Sequence, residues 1–122
     1  MKLVDTNVLV DFLQGVPDAQ MFIKSHAEEI MFSAISEAEL LSGKICHIPK
    51  ERQQVLSLLA QFVKVPVDNP LVQEAADVRR NFGLRLPDAL IAASALMVGA
   101  PLVTRNSKDF KKVKGLRVIQ PY

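Results

Sequence analysis

Two carboxylates in this chain stand where a folded domain has little use for charge. Asp5 follows Lys2-Leu3-Val4, which reads as the start of a buried strand, and precedes Thr6-Asn7 and a second apolar run, Val8-Leu9-Val10. Asp88 opens Pro87-Asp88-Ala89-Leu90-Ile91-Ala92-Ala93, and the segment behind it stays apolar to Val98 with only Ser94 interrupting. A carboxylate at the carboxyl end of a parallel strand lies at the rim where open α/β sheets bind their ligands. An acid at the head of a helix that is apolar all round either caps that helix or serves chemistry. Such a helix is buried and carries its first turn into the interior or a cleft, where an unpaired carboxylate is expensive. A divalent cation would offset that expense.

Each acid also has a structural role open to it. Asp5 can cap the helix it precedes, although Thr6 and Asn7 are capping types as well and one cap is enough. Asp88 follows Pro87, and both residues suit the first turn of a helix. Ser36-Glu37-Ala38-Glu39 matches a capping box, with Gly43 finishing a short helix. In Thr104-Arg105-Asn106-Ser107-Lys108-Asp109, Asn106, Ser107 or Asp109 could cap a short helix, and Asn106 or Asp109 could equally face a cleft. That choice stays open at this level.

Asp5, Glu39 and Asp88 can nevertheless converge on one rim of a parallel sheet. Crowded carboxylates repel one another, so a positive charge belongs among them. Oxygen donors without cysteine or histidine suit Mg²⁺ or Mn²⁺, which keep several waters and meet substrate phosphate. Such a site activates water for in-line displacement at phosphorus, which is nuclease chemistry. His26 and His47 belong to the wrong segments to act as a general base there. Cys46 beside His47 makes a poor zinc site without further ligands.

The elements that would carry these residues alternate short apolar runs with longer helical ones, as in a layered α/β domain with a parallel sheet. Strands are predicted at Lys2–Val4, Ile30–Ser33, Val63–Pro66, Pro101–Thr104 and Leu116–Ile119. Helices are predicted near Asn7–Leu13, Ala19–His26, Glu37–Ser42, Lys50–Phe62, Pro70–Phe82, Pro87–Val98 and Lys108–Val113. Val55, Leu58, Leu59 and Phe62 share one helical face. Pro17, Pro49, Pro70 and Pro87 mark helix starts, and Gly43, Gly83 and Gly99 mark helix ends.

With 122 residues, 49% hydrophobic and 23% charged, the chain has the make-up of one soluble globular unit, residues 1–122. No apolar run approaches the roughly 18 residues of a membrane span. The start of the chain lacks the pattern of a signal peptide. One cysteine cannot form an internal disulfide, which fits a reducing cytoplasm. The net charge of +2 is modest, but Arg105, Lys108, Lys111, Lys112, Lys114 and Arg117 are opposed only by Asp109 and could hold phosphates or equally form a solvated tail helix and strand edge.

Asp5-Thr6-Asn7-Val8-Leu9, Glu39-Leu40 with Gly43, Leu86-Pro87-Asp88-Ala89-Leu90-Ile91-Ala92-Ala93 and Leu102-Val103-Thr104-Arg105-Asn106 together resemble PIN domains. In length and spacing the chain is most similar to VapC, the toxin of type II toxin–antitoxin pairs. The resemblance spans nearly the whole chain. It implies a PIN-like three-layer α/β/α sandwich around a mostly parallel sheet of about five strands. It implies an Mg²⁺- or Mn²⁺-dependent endoribonuclease with tRNA or rRNA as target, a homodimer, and a cognate VapB-like antitoxin that blocks the cleft. Asp5, Glu39 and Asp88 match the family's acidic core. Asn106 stands where a fourth acid is common, and either Asn106 or Asp109 completes the metal site. Thr6, Asn7 and Thr104 are placed behind the acids, and Arg105 and Lys108 against RNA phosphate.

Other readings are a PIN-like module that binds RNA or protein without cutting, or an RNA-processing PIN nuclease outside a toxin–antitoxin pair. A phosphatase using Asp5 as phosphoacceptor wants an acid where Asn7 stands. A P-loop is excluded, because Ala38 occupies the first glycine position before Gly43-Lys44. Met21, Phe22, Ile23, Phe62 and Val63 look like more than a small core requires; core packing accounts for them first, with a dimer face or an antitoxin groove as the alternative.

Overall fold

Five short strands alternate with seven α-helices in the computed structural model, which describes residues 1–122. In order they are β1 (Lys2–Val4), α1 (Thr6–Leu13), α2 (Pro17–Ser25), a 3₁₀ turn (Ala27–Glu29), β2 (Ile30–Ser33), α3 (Ala34–Ser42) and α4 (Pro49–Leu59). Then follow β3 (Val63–Val65), α5 (Asn69–Phe82), α6 (Leu86–Val98), β4 (Leu102–Val103), α7 (Ser107–Phe110) and β5 (Val118–Ile119). Every strand pair is parallel, and the order across the sheet is β3-β2-β1-β4-β5. The chain therefore builds outward from β1 to one side, then returns to place β4 against its other side. The switch point of the sheet lies between β1 and β4, where ligands of open α/β sheets bind.

Alternation along the strands sorts the core into two layers. Leu3 and Leu102 point to the side covered by α5, α6 and α7, among Leu71, Ala75, Val78, Ile91 and Phe110. Val4 and Val103 point to the other side, among Val8, Leu9, Ile23, Leu40, Val55 and Leu58. Both faces are covered, as parallel sheets require, and the three-layer α/β/α sandwich expected from the sequence is the observed one. No helix is long and apolar enough to cross a membrane.

Local signals account for most boundaries. Asp68 caps α5 by accepting from the Leu71 amide at 3.1 Å. Gly83 and Gly99 end α5 and α6 at φ of 70° and 68°, a left-handed conformation that costs glycine little. Two expectations are corrected. Helix α3 starts at Ala34, not Glu37, because Ser33 is its cap and accepts from the Ile35 amide at 3.3 Å. The Ser36–Glu39 capping box therefore does not form, and both side chains are left for other partners. Helix α7 is a single turn over Ser107–Phe110, ended before the lysine pair Lys111-Lys112.

Inside the sandwich, Ser94 of α6 is fully buried and donates to the Leu90 carbonyl at 2.8 Å, with the Ser33 hydroxyl 2.9 Å away. The polar interruption in the apolar helix thus ties α6 to the end of β2. Phe110 is fully buried too, and it anchors the one turn of α7 against the sheet. Phe110→Ala is expected to destabilise the protein by about 3–5 kcal/mol in urea unfolding, the usual range for emptying a buried aromatic site.

Candidate active site

Asp5 leaves the central strand in an extended conformation and has its backbone amide on the Val103 carbonyl at 2.8 Å. Its carboxylate is held from two directions. Oδ1 accepts from the Thr6 amide at 2.7 Å, and Oδ2 accepts from the Thr104 hydroxyl at 2.7 Å. Asp5 is thus both helix cap and buried acid, only 6% exposed at the carboxyl end of β1. Thr104, at the end of β4, is fully buried. Its Oγ1 also accepts from the Asn106 amide at 2.9 Å, and Asn7 Nδ2 lies 3.4 Å away.

Glu39 arrives from α3, one turn after the buried Ser36. The Thr6 hydroxyl donates to Glu39 Oε1 at 2.7 Å and lies 2.8 Å from the Ser36 hydroxyl. Asp88 sits in the first turn of α6, half-buried. Its Oδ2 is 3.9 Å from Arg85 Nη2. Asp5, Thr6, Asn7, Glu39, Asp88 and Asn106 line one cleft of about 290 Å³, with Arg85 and Val10 at its edges.

The cleft is charged against its own interest. Burial pushes the Asp5 carboxyl up to about 6; the hydrogen bonds from Thr104 and Thr6 oppose this, and the Asp88 and Glu39 charges add to it. Burial also raises Asp88, with Arg85 opposing and the nearby Asp109 adding. Acids driven toward protonation mainly by burial, and to a lesser degree by neighbouring charges, in a cleft of oxygen donors, are the condition that a hard divalent cation relieves. No three histidine, cysteine, aspartate or glutamate side chains are gathered into a ready-made ligand cage. The lining, whose metal donors are all oxygens, fits a hard ion that keeps much of its water, as Mg²⁺ does.

Of the sequence-predicted residues, Asp5, Thr6, Asn7, Glu39, Asp88, Thr104 and Asn106 come together here. Between the two candidates for the fourth position, Asn106 lines the cleft, whereas Asp109 is exposed on α7 and reaches it only by its charge. Lys108 is exposed on α7. Arg105 is exposed but tethered: its Nε lies 2.7 Å from Asp11 Oδ2. The Tyr122 hydroxyl donates to the same oxygen at 2.7 Å. Burial and the Asp11 carboxylate raise the Tyr122 phenol, so it remains a donor. This cluster fastens the chain end and the loop after β4 to α1. Cys46 and His47 lie at the head of α4, where the His47 amide donates to Glu51 at 2.9 Å, outside the cleft.

Sequence reasoning passed over Asp11 and Arg85. Asp11 carried the same signal as Asp88, an acid inside the otherwise apolar run Val8–Leu13. Arg85 carried none beyond its place three residues before Asp88. The apolar surplus divides: Ile23 is core at 2% exposed, whereas Met21 at 69% and Val63 at 52% face outward.

An all-parallel sheet with a buried acid and two partly buried ones at its switch point defines an α/β protein with an acidic cleft. Residues 2–116 match the PIN domain family, and the chain belongs to it. It is 33% identical to Ribonuclease VapC19 of Mycobacterium tuberculosis over 90% of this chain and 92% of that protein. It superposes on a toxin–antitoxin complex from Klebsiella pneumoniae with TM-score 0.87 and 29% identity, covering all of this chain and 98% of that one. FitAcB from Neisseria gonorrhoeae aligns with TM-score 0.79 and 26% identity, over 99% and 98% of the two chains.

The raised Asp5 carboxyl has a measurable consequence in metal-free protein. Folded Asp5 holds its proton to about 6 and unfolded Asp5 to about 3.8. Its stabilising contribution is therefore complete below about pH 4 and lost as pH rises through 6, on the order of 3 kcal/mol. Thermal melts in chelator should fall across that window, and Asp5→Asn should flatten the fall. Asp11→Ala strands Arg105 and the Tyr122 hydroxyl, and chemical unfolding should show a loss of about 1–3 kcal/mol.

Proposed function

We propose that this protein is a divalent-metal-dependent endoribonuclease and the toxin of a VapBC-type toxin–antitoxin pair. The observation that carries the reading is the buried Asp5 carboxylate, held by Thr104 and the Thr6 amide while Asp88 and Glu39 crowd it. Likeness to a protein named a ribonuclease, and to a toxin–antitoxin complex, supports the substrate class and the partner.

Asp5, Asp88 and Glu39 would hold Mg²⁺ or Mn²⁺, with Asn106 offering a neutral carbonyl oxygen beside them. The ion, when bound, supplies an activated water and stabilises charge on the phosphodiester under attack. The chain's own part is positioning. Thr104 and the Thr6 amide fix both Asp5 oxygens. Thr6 fixes Glu39, which keeps the α3 acid aimed at the α1 end of the cleft. Burial of Asp5 keeps bulk water from screening these charges, so they act at short range with full effect.

Two surfaces offer an antitoxin a place to dock. Phe12, Leu13 and Leu58 line an open groove of about 550 Å³ between the end of α1 and α4, rimmed by Gln53, Gln54 and Gln61. Met21 and Phe22 of α2 line a second depression beside Tyr122. An amphipathic partner helix suits such grooves. Homodimer formation and action on cytoplasmic tRNA or rRNA belong to the same reading. Asn106 favours one alternative, a module that binds RNA without cutting, because a neutral residue there weakens the hold on metal.

Incubating the protein with structured RNA in Mg²⁺ or Mn²⁺ tests the reading. Cutting should vanish with chelator and with Asp5→Asn. Thr104→Val should cut about 10–100-fold more slowly, the usual penalty for removing a group that orients a ligating carboxylate. A metal-saturated, folded protein that binds this RNA without cutting it would instead establish the binding module.

A further inference from the structure

Arg85 is the one cation lining the acid cleft. Its base is fixed, since Leu84 before it is 5% exposed and Pro87 follows two residues later. Its tip is not. The side chain is 85% exposed and makes no capping bond to α6. Nη2 stands 3.9 Å from Asp88 Oδ2, well beyond the roughly 2.7–2.9 Å of a charge-assisted hydrogen bond. An exposed pair at that distance is worth little and is readily given up. Arg105, which the family resemblance set against phosphate, is engaged more tightly: its Nε lies 2.7 Å from the buried Asp11 carboxylate.

We infer that Arg85 is the residue of this cleft that grips the RNA phosphate, swinging from Asp88 to the substrate, while Arg105 serves only to hold the loop after β4. The inference rests on the ribonuclease reading. Arginine's planar fork matches two phosphate oxygens, and an arginine leaning on an acid that a metal would claim is released when its partner becomes engaged. Arg85 also offsets, at the cleft lip, the field of three carboxylates that would otherwise repel an incoming polyanion.

The test uses labelled total tRNA with wild-type, Arg85→Ala and Arg85→Lys proteins of matching melting temperature. Binding is measured in Ca²⁺ as a function of salt, and cleavage kinetics in Mg²⁺ or Mn²⁺. Arg85→Ala should bind about tenfold more weakly, and the log–log salt slope should drop by about one, the signature of one lost phosphate contact. KM should rise more than kcat falls, and Arg85→Lys should recover part of the binding. Unchanged binding, slope and KM in Arg85→Ala, with the wild type cutting normally, would overturn the assignment and leave the nuclease reading intact. A wild type that binds but does not cut, with the slope still lowered in Arg85→Ala, would sustain the contact and end the nuclease reading. Failure to bind and to cut would end both.

Discussion

Burying one ionisable carboxylate at the end of the central strand is the constraint on which the rest of this structure turns. Asp5 cannot be removed from water cheaply, and its pKa of about 6 records the cost. Two short hydrogen bonds and a place at a helix start reduce that cost without abolishing it. The fold arranges its other parts around this point. Strand β4 lies beside β1 so that Thr104 reaches Asp5, and α1 begins at Thr6 so that its amide does. A domain selected for stability alone would place an apolar or hydroxyl residue here and avoid the strain. Two more acids facing Asp5 at the switch point are what the proposed function puts to use.

The helices carrying those acids obey the same logic in different ways. Helix α6 is apolar from Ala89 to Ala95 apart from Ser94, and all of these but the partly buried Leu90 are buried, so Asp88 one residue before them is held at the margin of the interior. Helix α3 is capped by Ser33, which releases Ser36 and Glu39 to the Thr6 hydroxyl. Thr6 therefore joins two acids at once, Asp5 through its amide and Glu39 through its hydroxyl. Binding the β4–α7 loop to α1 through Asp11, Arg105 and Tyr122 keeps Asn106 at the rim despite the shortness of α7.

Much of this was legible in the residues, and the failures have identifiable causes. The parallel sandwich follows from alternating apolar runs bounded by proline and glycine, and all five strands appear where those runs lie. The acids at Asp5 and Asp88 were visible because each contradicts its apolar surroundings. Glu39 was obscured by a capping-box pattern that a serine three residues earlier made obsolete: local pattern favoured Ser36, and the strand end put Ser33 at the cap instead. Arg105 has a partner that the sequence did not reveal. Charge is evident in sequence but its partner is not, and Asp11 lies 94 positions away along the chain. Arg85 was invisible because an exposed arginine in a loop looks like any other. Only its place at the lip of a cleft built from four separate segments distinguishes it.

Asn106 then acquires a meaning that its departure from an acidic pattern does not suggest. With its carboxylates ionised, the cleft holds the charges of Asp5, Glu39 and Asp88, offset by Arg85 alone. A single divalent ion brings that total to neutrality, whereas an aspartate at 106 would leave a net negative charge facing a polyanion. A carbonyl oxygen at this position can still accept a hydrogen bond from water or complete a coordination shell without adding repulsion. Asp109 remains close enough to raise Asp88, yet exposed enough for solvent and salt to screen it. On the proposed reading, a neutral side chain at 106 lowers the cleft's resistance to an approaching phosphate while leaving its three carboxylates to hold one cation.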